Sequence, residues 1–215
     1  MNKGIIITLP RHDYVTEYLS QYSESIREEA EAKNIKVKEL HDEKANKQEF
    51  ESALKKLDYS MLVFNGHGSE EVITGHKNIP IVRMGTNEGL LKERITYARS
   101  CNAACTLGKQ SMKENKEGCF IGYELSFMFY IDTSRIAAPK KDKIAPLFLD
   151  PSNIVPIALI RGNSAAEAHG KGKSQMLRNI NRILKNQNKE SFLLAGALWN
   201  NYLGQVIHGN PDARL

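Results

Sequence analysis

Short apolar runs alternate with longer amphipathic stretches through the first half of the chain. Five of these runs are rich in β-branched or aromatic residues and predict strands: residues 4–10, 35–40, 61–64, 95–99 and 119–123. Such runs are typical of strands buried on both faces of a parallel sheet. Because strand and helix alternate at short spacing, the pattern predicts a three-layer α/β sandwich with a mostly parallel central sheet.

Helical periodicity fills the gaps between these runs. Tyrosines recur every four residues after Asp13, which is a good N-cap, and predict a helix to about residue 33. Residues 50–57 carry the apolar spacing of a second helix. Shorter elements are expected downstream: a hairpin over residues 72–82, a short helix capped by Asn87 and a helix over residues 107–115.

The alternation of predicted strands and helices is interrupted in the second half of the chain. Residues 134–152 hold three of the seven prolines and a lysine-rich run, so we expect a loop insertion within one domain spanning residues 1–215. The apolar residues 155–160 predict a further strand. Two helices complete the chain, one opened by the capping box of Ser164 and Glu167 and one from about Glu190 through Ile207.

Composition narrows the class of protein. The chain has 41% apolar and 26% charged residues, as expected of an ordinary soluble globular protein, and its apolar runs are too short to cross a membrane. A net charge of +5 without an interleaved aromatic platform argues against nucleic-acid binding. Three cysteines without a Cys-x-x-Cys pair, and no secretory signal, predict free thiols in the cytoplasm.

Two predicted strands end in turns that carry reactive side chains. His67 stands between two glycines after the third strand, and Cys101 follows the fourth. Parallel strands present their carboxyl ends at one edge of the sheet, where open α/β folds place their sites. We therefore expect the imidazole and the thiol to lie close together.

A histidine and a cysteine at such an edge are sufficient for nucleophilic thiol catalysis. His67 can act as general base and acid, and a helix start after Cys101 would favour the thiolate. The backbone N–H groups of Gly68 and Cys101 are the expected donors to an oxyanion. This chemistry proceeds through a thioester and needs no cofactor.

Other assignments of these residues stay open. Cys105 is a competing nucleophile, and Cys119 opens a strand and is expected in the core. His67, His76 and the two cysteines at 101 and 105 form only a weak metal pattern, so no metal is expected. An inactive interaction module and a flavodoxin-like domain that binds a small ligand are the alternative functions. The latter would need a phosphate-binding loop; neither standard glycine motif is present, and the turn at residues 66–69 is the only candidate.

The two turns resemble those of a known family. Residues 65–69 (Asn-Gly-His-Gly-Ser) resemble the His-Gly motif of the clan CD cysteine peptidases, which include caspases, legumains, gingipains, separases and CHAT domains. Residues 98–104 (Ala-Arg-Ser-Cys-Asn-Ala-Ala) resemble the motif of their nucleophile, and the likeness extends over residues 5–123. It implies a caspase–haemoglobinase fold and a dyad of His67 and Cys101. No third catalytic residue is required, which agrees with the lack of an obvious aspartate partner.

The resemblance also implies a protein or peptide substrate and a first pocket built from loops at the strand ends. Glu124 would favour Lys or Arg before the cut, whereas Arg11 would favour Asp or Glu. Ser100, next to the nucleophile, is a further candidate for substrate binding. A partner chain or a homodimer is compatible with this pattern. The exposed, basic loop at residues 134–152 is a candidate site of self-cleavage.

Overall fold

A six-stranded sheet made largely from the predicted apolar runs forms the centre of the molecule. The computed structural model describes residues 1–113 and 117–215. The strands are β1 (Asn2–Leu9), β2 (Lys36–His41), β3 (Tyr59–Asn65), β4 (Gly68–Ser69), β5 (Val72–Thr74), β6 (Pro80–Arg83), β7 (Ile95–Arg99), β8 (Cys119–Tyr123) and β9 (Gln205–Gly209). The large sheet has the order β2-β1-β3-β7-β8-β9, and only β9 is antiparallel to its neighbour.

Helices cover both faces of this sheet. They are α1 (Tyr14–Tyr22), α2 (Glu24–Ala32), α3 (Lys47–Leu57), α4 (Lys109–Ser111), α5 (Pro146–Ile160), α6 (Ala165–Leu184) and α7 (Lys189–Gly204). Successive strand residues point to opposite faces, so Ile5 and Ile7 pack with α2, α5 and α6, whereas Ile6 packs with α3. The predicted three-layer α/β fold with a mostly parallel sheet is confirmed.

The shorter elements largely follow the sequence. The predicted hairpin is confirmed, because β5 and β6 pair antiparallel and, with β4, form a small second sheet beside the main one. The first predicted helix is divided at Ser23 into α1 and α2. The predicted helix over residues 107–115 is instead a π-helical turn (Ala104–Gly108) followed by α4, and Asn115 lies outside the described residues.

The predicted strand at residues 155–160 is wrong. These residues form the second half of α5, and residues 146–152, assigned to the loop insertion, form its first half. The irregular segment therefore ends before Pro146. A helix packed between the sheet and other helices is apolar on all sides and loses the periodicity that distinguishes it from a buried strand. Pro151 and Pro156 inside the helix strengthened the wrong assignment.

The end of the last helix was also predicted wrongly. α7 ends at Gly204, and Gln205–Gly209 continues as β9, which pairs antiparallel with β8. Val206 and Ile207 therefore lie in a strand that pairs with β8, and not on the apolar face of a helix. Among the described residues, no helix combines the length and apolar character needed to cross a bilayer.

Candidate active site

Four parallel strands end side by side and present the candidate residues in a row. In the sheet order β1-β3-β7-β8, Asp13 follows β1, His67 follows β3, Cys101 follows β7 and Glu124 follows β8. Asn65 and Arg99 are partners in the β3–β7 register, so His67 and Cys101 each lie two residues beyond a paired position. The two turns are therefore neighbours, as the sequence predicts.

Direct contacts hold these turns together. The Ser100 hydroxyl donates to the carbonyl oxygen of Gly66 at 3.1 Å and is buried, so its side chain joins the His67 turn to the Cys101 turn. A Cβ atom on Gly68 would lie 2.9 Å from the Ser100 Cβ and 3.2 Å from the Cys101 carbonyl oxygen. The second turn can approach this closely only because residue 68 is glycine.

The backbone of His67 is fixed from both sides. Gly66 has a φ of +152°, and a Cβ there would lie 2.5 Å from the Thr74 carbonyl oxygen. This conformation favours glycine over any residue with a side chain. The Thr74 amide and hydroxyl both donate to the His67 carbonyl oxygen, at 3.0 and 2.9 Å. The glycines and Thr74 thus determine where the imidazole emerges.

The His67 side chain has an aspartate partner. Its Nε2 lies 2.8 Å from Oδ2 of Asp13, and the His67 side chain is 38% exposed. The sequence shows no obvious aspartate partner for His67, and the structure corrects this point by placing Asp13 there. The sequence did carry a signal, because Asp13 was identified as a helix N-cap just beyond β1. Its second role depends on the neighbouring positions of β1 and β3, which local patterns do not reveal.

Asp13 divides its two carboxylate oxygens between the helix and the histidine. Oδ1 accepts hydrogen bonds from the Thr16 amide at 2.7 Å and the Thr16 hydroxyl at 2.8 Å, as predicted for the N-cap of α1. Burial would raise the pKa of Asp13, but the hydrogen bonds from Thr16 and His67 outweigh it and hold the pKa below its ordinary value. Asp13 is therefore anionic at neutral pH.

The Cys101 turn is supported by the segment after β8. The Cys101 Sγ lies 3.9 Å from the Phe127 carbonyl oxygen, and the Asn102 amide donates to the Leu125 carbonyl oxygen at 3.4 Å. Asn102 adopts the left-handed conformation with a φ of 58°, which asparagine tolerates well. In the described part of the chain, no hydrogen bond joins Cys101 to His67 directly. Catalytic hydrogen bonds often tighten only when substrate binds.

The other two cysteines are poorer nucleophiles. Burial, together with Glu70 and Glu124, raises the pKa of Cys105, and its thiol donates to the Glu124 carbonyl oxygen at 3.0 Å. Burial raises the pKa of Cys119 to about 12, and this residue lies in the core as the sequence predicts. Since the thiolate is the reactive form, both environments disfavour reaction at Cys105 and Cys119.

The candidate specificity residues have different surroundings. Glu124 lies just beyond the Cys101 turn, and its carboxylate is 3.5 Å from His208 Nε2. Arg11 makes two hydrogen bonds to Glu17, at 2.8 and 2.9 Å, so its charge is already paired. A separate cleft of 840 Å³ is lined by Asp58 and Arg94, which precede β3 and β7. It therefore lies at the amino-terminal ends of these strands, away from the row of candidate residues.

Below the site lies a buried polar cluster centred on Arg99. The guanidinium is fully buried and donates to Asn65 Oδ1 at 2.8 Å, to Asn153 Oδ1 at 2.7 Å and to the Leu19 carbonyl oxygen at 3.1 Å. Two serine hydroxyls, of Ser23 and Ser152, complete its partners. The cluster connects β3 and β7 to α1 and α5 immediately below the reactive turns.

Comparisons with known proteins identify the fold. No family model and no curated protein sequence matches the chain. The solved structure of the Arg-specific cysteine proteinase gingipain R aligns with a TM-score of 0.62 and 12% identity, covering 99% of this chain and 47% of its own. A complex of the Porphyromonas gingivalis RgpB pro- and mature domains aligns with a TM-score of 0.60 and 10% identity, covering 98% of this chain and 48% of its own.

These likenesses show the fold and nothing more. The chain has the caspase-like fold of gingipain, a mostly parallel sheet flanked by helices. It spans about half the length of the structures that it matches.

Proposed function

We propose that this chain is a cysteine-type endopeptidase in which Cys101 is the nucleophile, His67 the general base and acid, and Asp13 a positioning residue. One observation carries the proposal: Asp13, His67 and Cys101 follow three adjacent strands in that order, and Asp13 holds His67 at 2.8 Å. An acceptor, an imidazole and a thiol in sequence are the usual parts of an activated nucleophile.

The reaction follows from these roles. His67 takes the proton of the Cys101 thiol, and the sulfur attacks the carbonyl carbon of a peptide bond. The resulting oxyanion accepts hydrogen bonds from the backbone N–H groups of Gly68 and Cys101. The tetrahedral intermediate collapses to a thioester while His67 gives its proton to the leaving amine. Water, deprotonated by His67, then attacks the thioester and restores the thiol.

The aspartate makes this proton transfer more effective. An anionic Asp13 next to Nε2 fixes the ring orientation and keeps the proton on that nitrogen. The other ring nitrogen is then free to accept the thiol proton. The negative charge also stabilises the imidazolium that forms during the attack.

We infer a preference for a basic residue before the cut. Glu124 follows the strand next to Cys101, and its carboxylate supplies the charge that Lys or Arg requires. Gingipain R is described as Arg-specific, in agreement with this choice. Arg11, the candidate for an acidic preference, has its charge paired with Glu17. Ser100 contributes by joining the two turns rather than through a free hydroxyl.

A partner chain belongs to the same proposal. One of the similar structures is a complex of pro- and mature domains, and this chain covers 48% of the chain it matches there. In this proposal, a partner chain or a second copy contacts the loops at the strand ends.

Covalent probes test the proposal directly. The purified protein is incubated with two peptide acyloxymethyl ketones, one with Lys and one with Asp at the first position, and adducts are measured by intact mass. We expect one adduct on the wild type with the Lys probe. Cys101→Ala and His67→Ala should give none, whereas the matched control Cys105→Ala should react like the wild type.

Each other outcome contradicts a defined part of the proposal. An adduct that survives in Cys101→Ala and disappears in Cys105→Ala would show that Cys105, and not Cys101, is the nucleophile. Reaction with the Asp probe alone would contradict the role of Glu124. No adduct with either probe, and iodoacetamide reactivity of Cys101 equal to that of a free thiol, would favour an inactive interaction module.

A further inference from the structure

Three potential metal ligands meet at the end of β1 and β3. One ring nitrogen each of His12 and His67 and one carboxylate oxygen of Asp13 lie within 4.8 Å of one another. Asp13 Oδ2 is 2.8 Å from His67 Nε2 and 3.5 Å from His12 Nε2. His12 Nε2 also lies 3.2 Å from Asn78 Oδ1. The carboxylate oxygen thus stands between the two imidazoles.

This donor set suits a borderline transition metal. Two imidazole nitrogens and one carboxylate oxygen are the ligands of many zinc sites in which a fourth position stays open. Ligand atoms around a tetrahedral zinc ion lie about 3.4 Å apart. The Asp13–His12 separation of 3.5 Å already suits that geometry, whereas the Asp13–His67 separation of 2.8 Å would have to lengthen.

Unused nitrogen atoms surround the cluster. The Nδ1 atoms of His12 and His76 are buried and have no hydrogen-bond partner in the described part of the chain. The two rings pack edge to face with centroids 5.4 Å apart, and the His12 side chain is only 11% exposed. Buried polar atoms without partners are uncommon, and a bound ion is one of the recognised reasons for them. The contacts of His12 with Asp13 and Asn78 are made by Nε2, so its Nδ1 is a donor atom that these contacts do not use.

We propose that His12, Asp13 and His67 bind a divalent transition-metal ion of the zinc type, and that the bound ion inhibits the thiol chemistry. The inhibition rests on the proposed peptidase function, whereas the binding does not. The ion binds His67 Nε2 in place of the proton that Asp13 holds there, and that proton moves to Nδ1, the nitrogen that would otherwise accept the thiol proton. His67 then loses the partner that orients it and cannot act as base for Cys101.

Direct binding measurements test the site without any need for activity. Protein freed of metal with a chelator is titrated with zinc chloride in competition with a chromogenic zinc indicator. We expect one zinc ion per wild-type chain. His12→Gln, which keeps a polar side chain of similar size, should weaken binding at least about tenfold. Cys101→Ala should bind zinc like the wild type, and circular dichroism verifies that each variant is folded.

A matched histidine provides the control for adventitious binding. His41 forms an exposed pair with Glu39 at 3.0 Å and belongs to a different strand end. His41→Ala should leave zinc binding unchanged. Loss of the ion in His41→Ala, loss in Cys101→Ala, or unchanged affinity in His12→Gln would each overturn the proposed ligand set, as would a wild type that binds no zinc.

The inhibition has its own measurement. Stoichiometric zinc should slow labelling of wild-type Cys101 by the Lys probe at least about tenfold, and excess chelator should restore it. His12→Gln should be less sensitive to zinc than the wild type. Labelling that continues unchanged in the zinc-loaded wild type would overturn the inhibition. A protein that binds zinc but is never labelled would contradict the peptidase proposal and leave the metal site standing.

Discussion

At the scale of single residues, Asp13 links the start of a helix to the candidate chemistry. One carboxylate oxygen caps α1 through Thr16, and the other holds His67. The cap fixes the orientation of the carboxylate before any substrate arrives. A structural contact that many helices possess thereby also orients His67, the proposed general base.

We expect Asp13→Asn to separate these two roles. Asparagine is as good an N-cap as aspartate, so the free energy of unfolding should change by less than about 1 kcal/mol. The amide has a single acceptor oxygen and no charge, so it cannot accept from both Thr16 and His67 as the carboxylate does, and the rate of labelling by the Lys probe should fall about 100-fold or more. Urea unfolding and labelling kinetics measure the two effects.

Asp13→Ala is the control for this prediction. It removes both contacts and should lose about 1 kcal/mol of stability in addition to the reactivity. An Asp13→Asn protein that is labelled as fast as the wild type would show that Asp13 acts only as a helix cap.

At the scale of secondary-structure elements, the sequence alone predicted those strands and helices whose formation depends on a local residue pattern. The buried strands β1, β3, β7 and β8 were predicted because β-branched runs that end in small-residue turns seldom form any other structure. α5 was not, because its burial on all sides removes the helical period. β9 depends on an open edge of β8, about which residues 205–209 carry no local information.

Helix α6 offers an element-scale prediction, because two of its glycines differ in what surrounds them. A Cβ on Gly172 would lie 2.6 Å from Cγ2 of Val155, a buried and stiff residue of α5. Nothing lies within 4 Å of a Cβ on Gly170. We expect Gly172→Ala to destabilise the protein by about 1–2 kcal/mol through overpacking. Gly170→Ala should stabilise it by up to about 1 kcal/mol through helix propensity.

Urea midpoints of the two variants provide the measurement, with each glycine serving as the control for the other. Equal stabilisation by both alanines would mean that α6 does not press against α5 at Val155. Reactivity with the probes should be unchanged in Gly170→Ala, since the exposed face of α6 is not part of the site.

At the scale of the whole molecule, the parts that the sequence did not reveal are those made by distant segments. His67 and Cys101 were predicted because each ends a recognisable strand. The partners of Arg99 come from α1, β3 and α5, and a single sequence gives no sign that they meet. Arg99 was noted only as the last residue of a strand, although it is fully buried.

This buried guanidinium gives the last prediction. Burial lowers the pKa of Arg99, and its partners in the described part of the chain are neutral oxygens rather than a carboxylate, so hydrogen bonds to neutral groups must offset the cost of desolvation. Arg99→Met keeps an unbranched apolar stem but removes the guanidinium, which leaves several buried acceptors, including the oxygens of Asn65 and Asn153, without donors. We expect a loss of about 3 kcal/mol or more in the free energy of unfolding.

Arg99→Lys keeps the charge without the planar fork and should lie between the wild type and Arg99→Met, which keeps the comparison informative if the methionine variant does not fold. Because Arg99 ties Asn65 to the helices just below the His67 turn, labelling of Cys101 should fall in both variants. A methionine variant as stable as the wild type would mean that this polar cluster contributes nothing net to stability, as apolar replacements of some buried ionic groups have shown. The cluster would then act only in fixing the relative positions of β3, β7 and the two reactive turns, and a loss of labelling without a loss of stability would measure that effect.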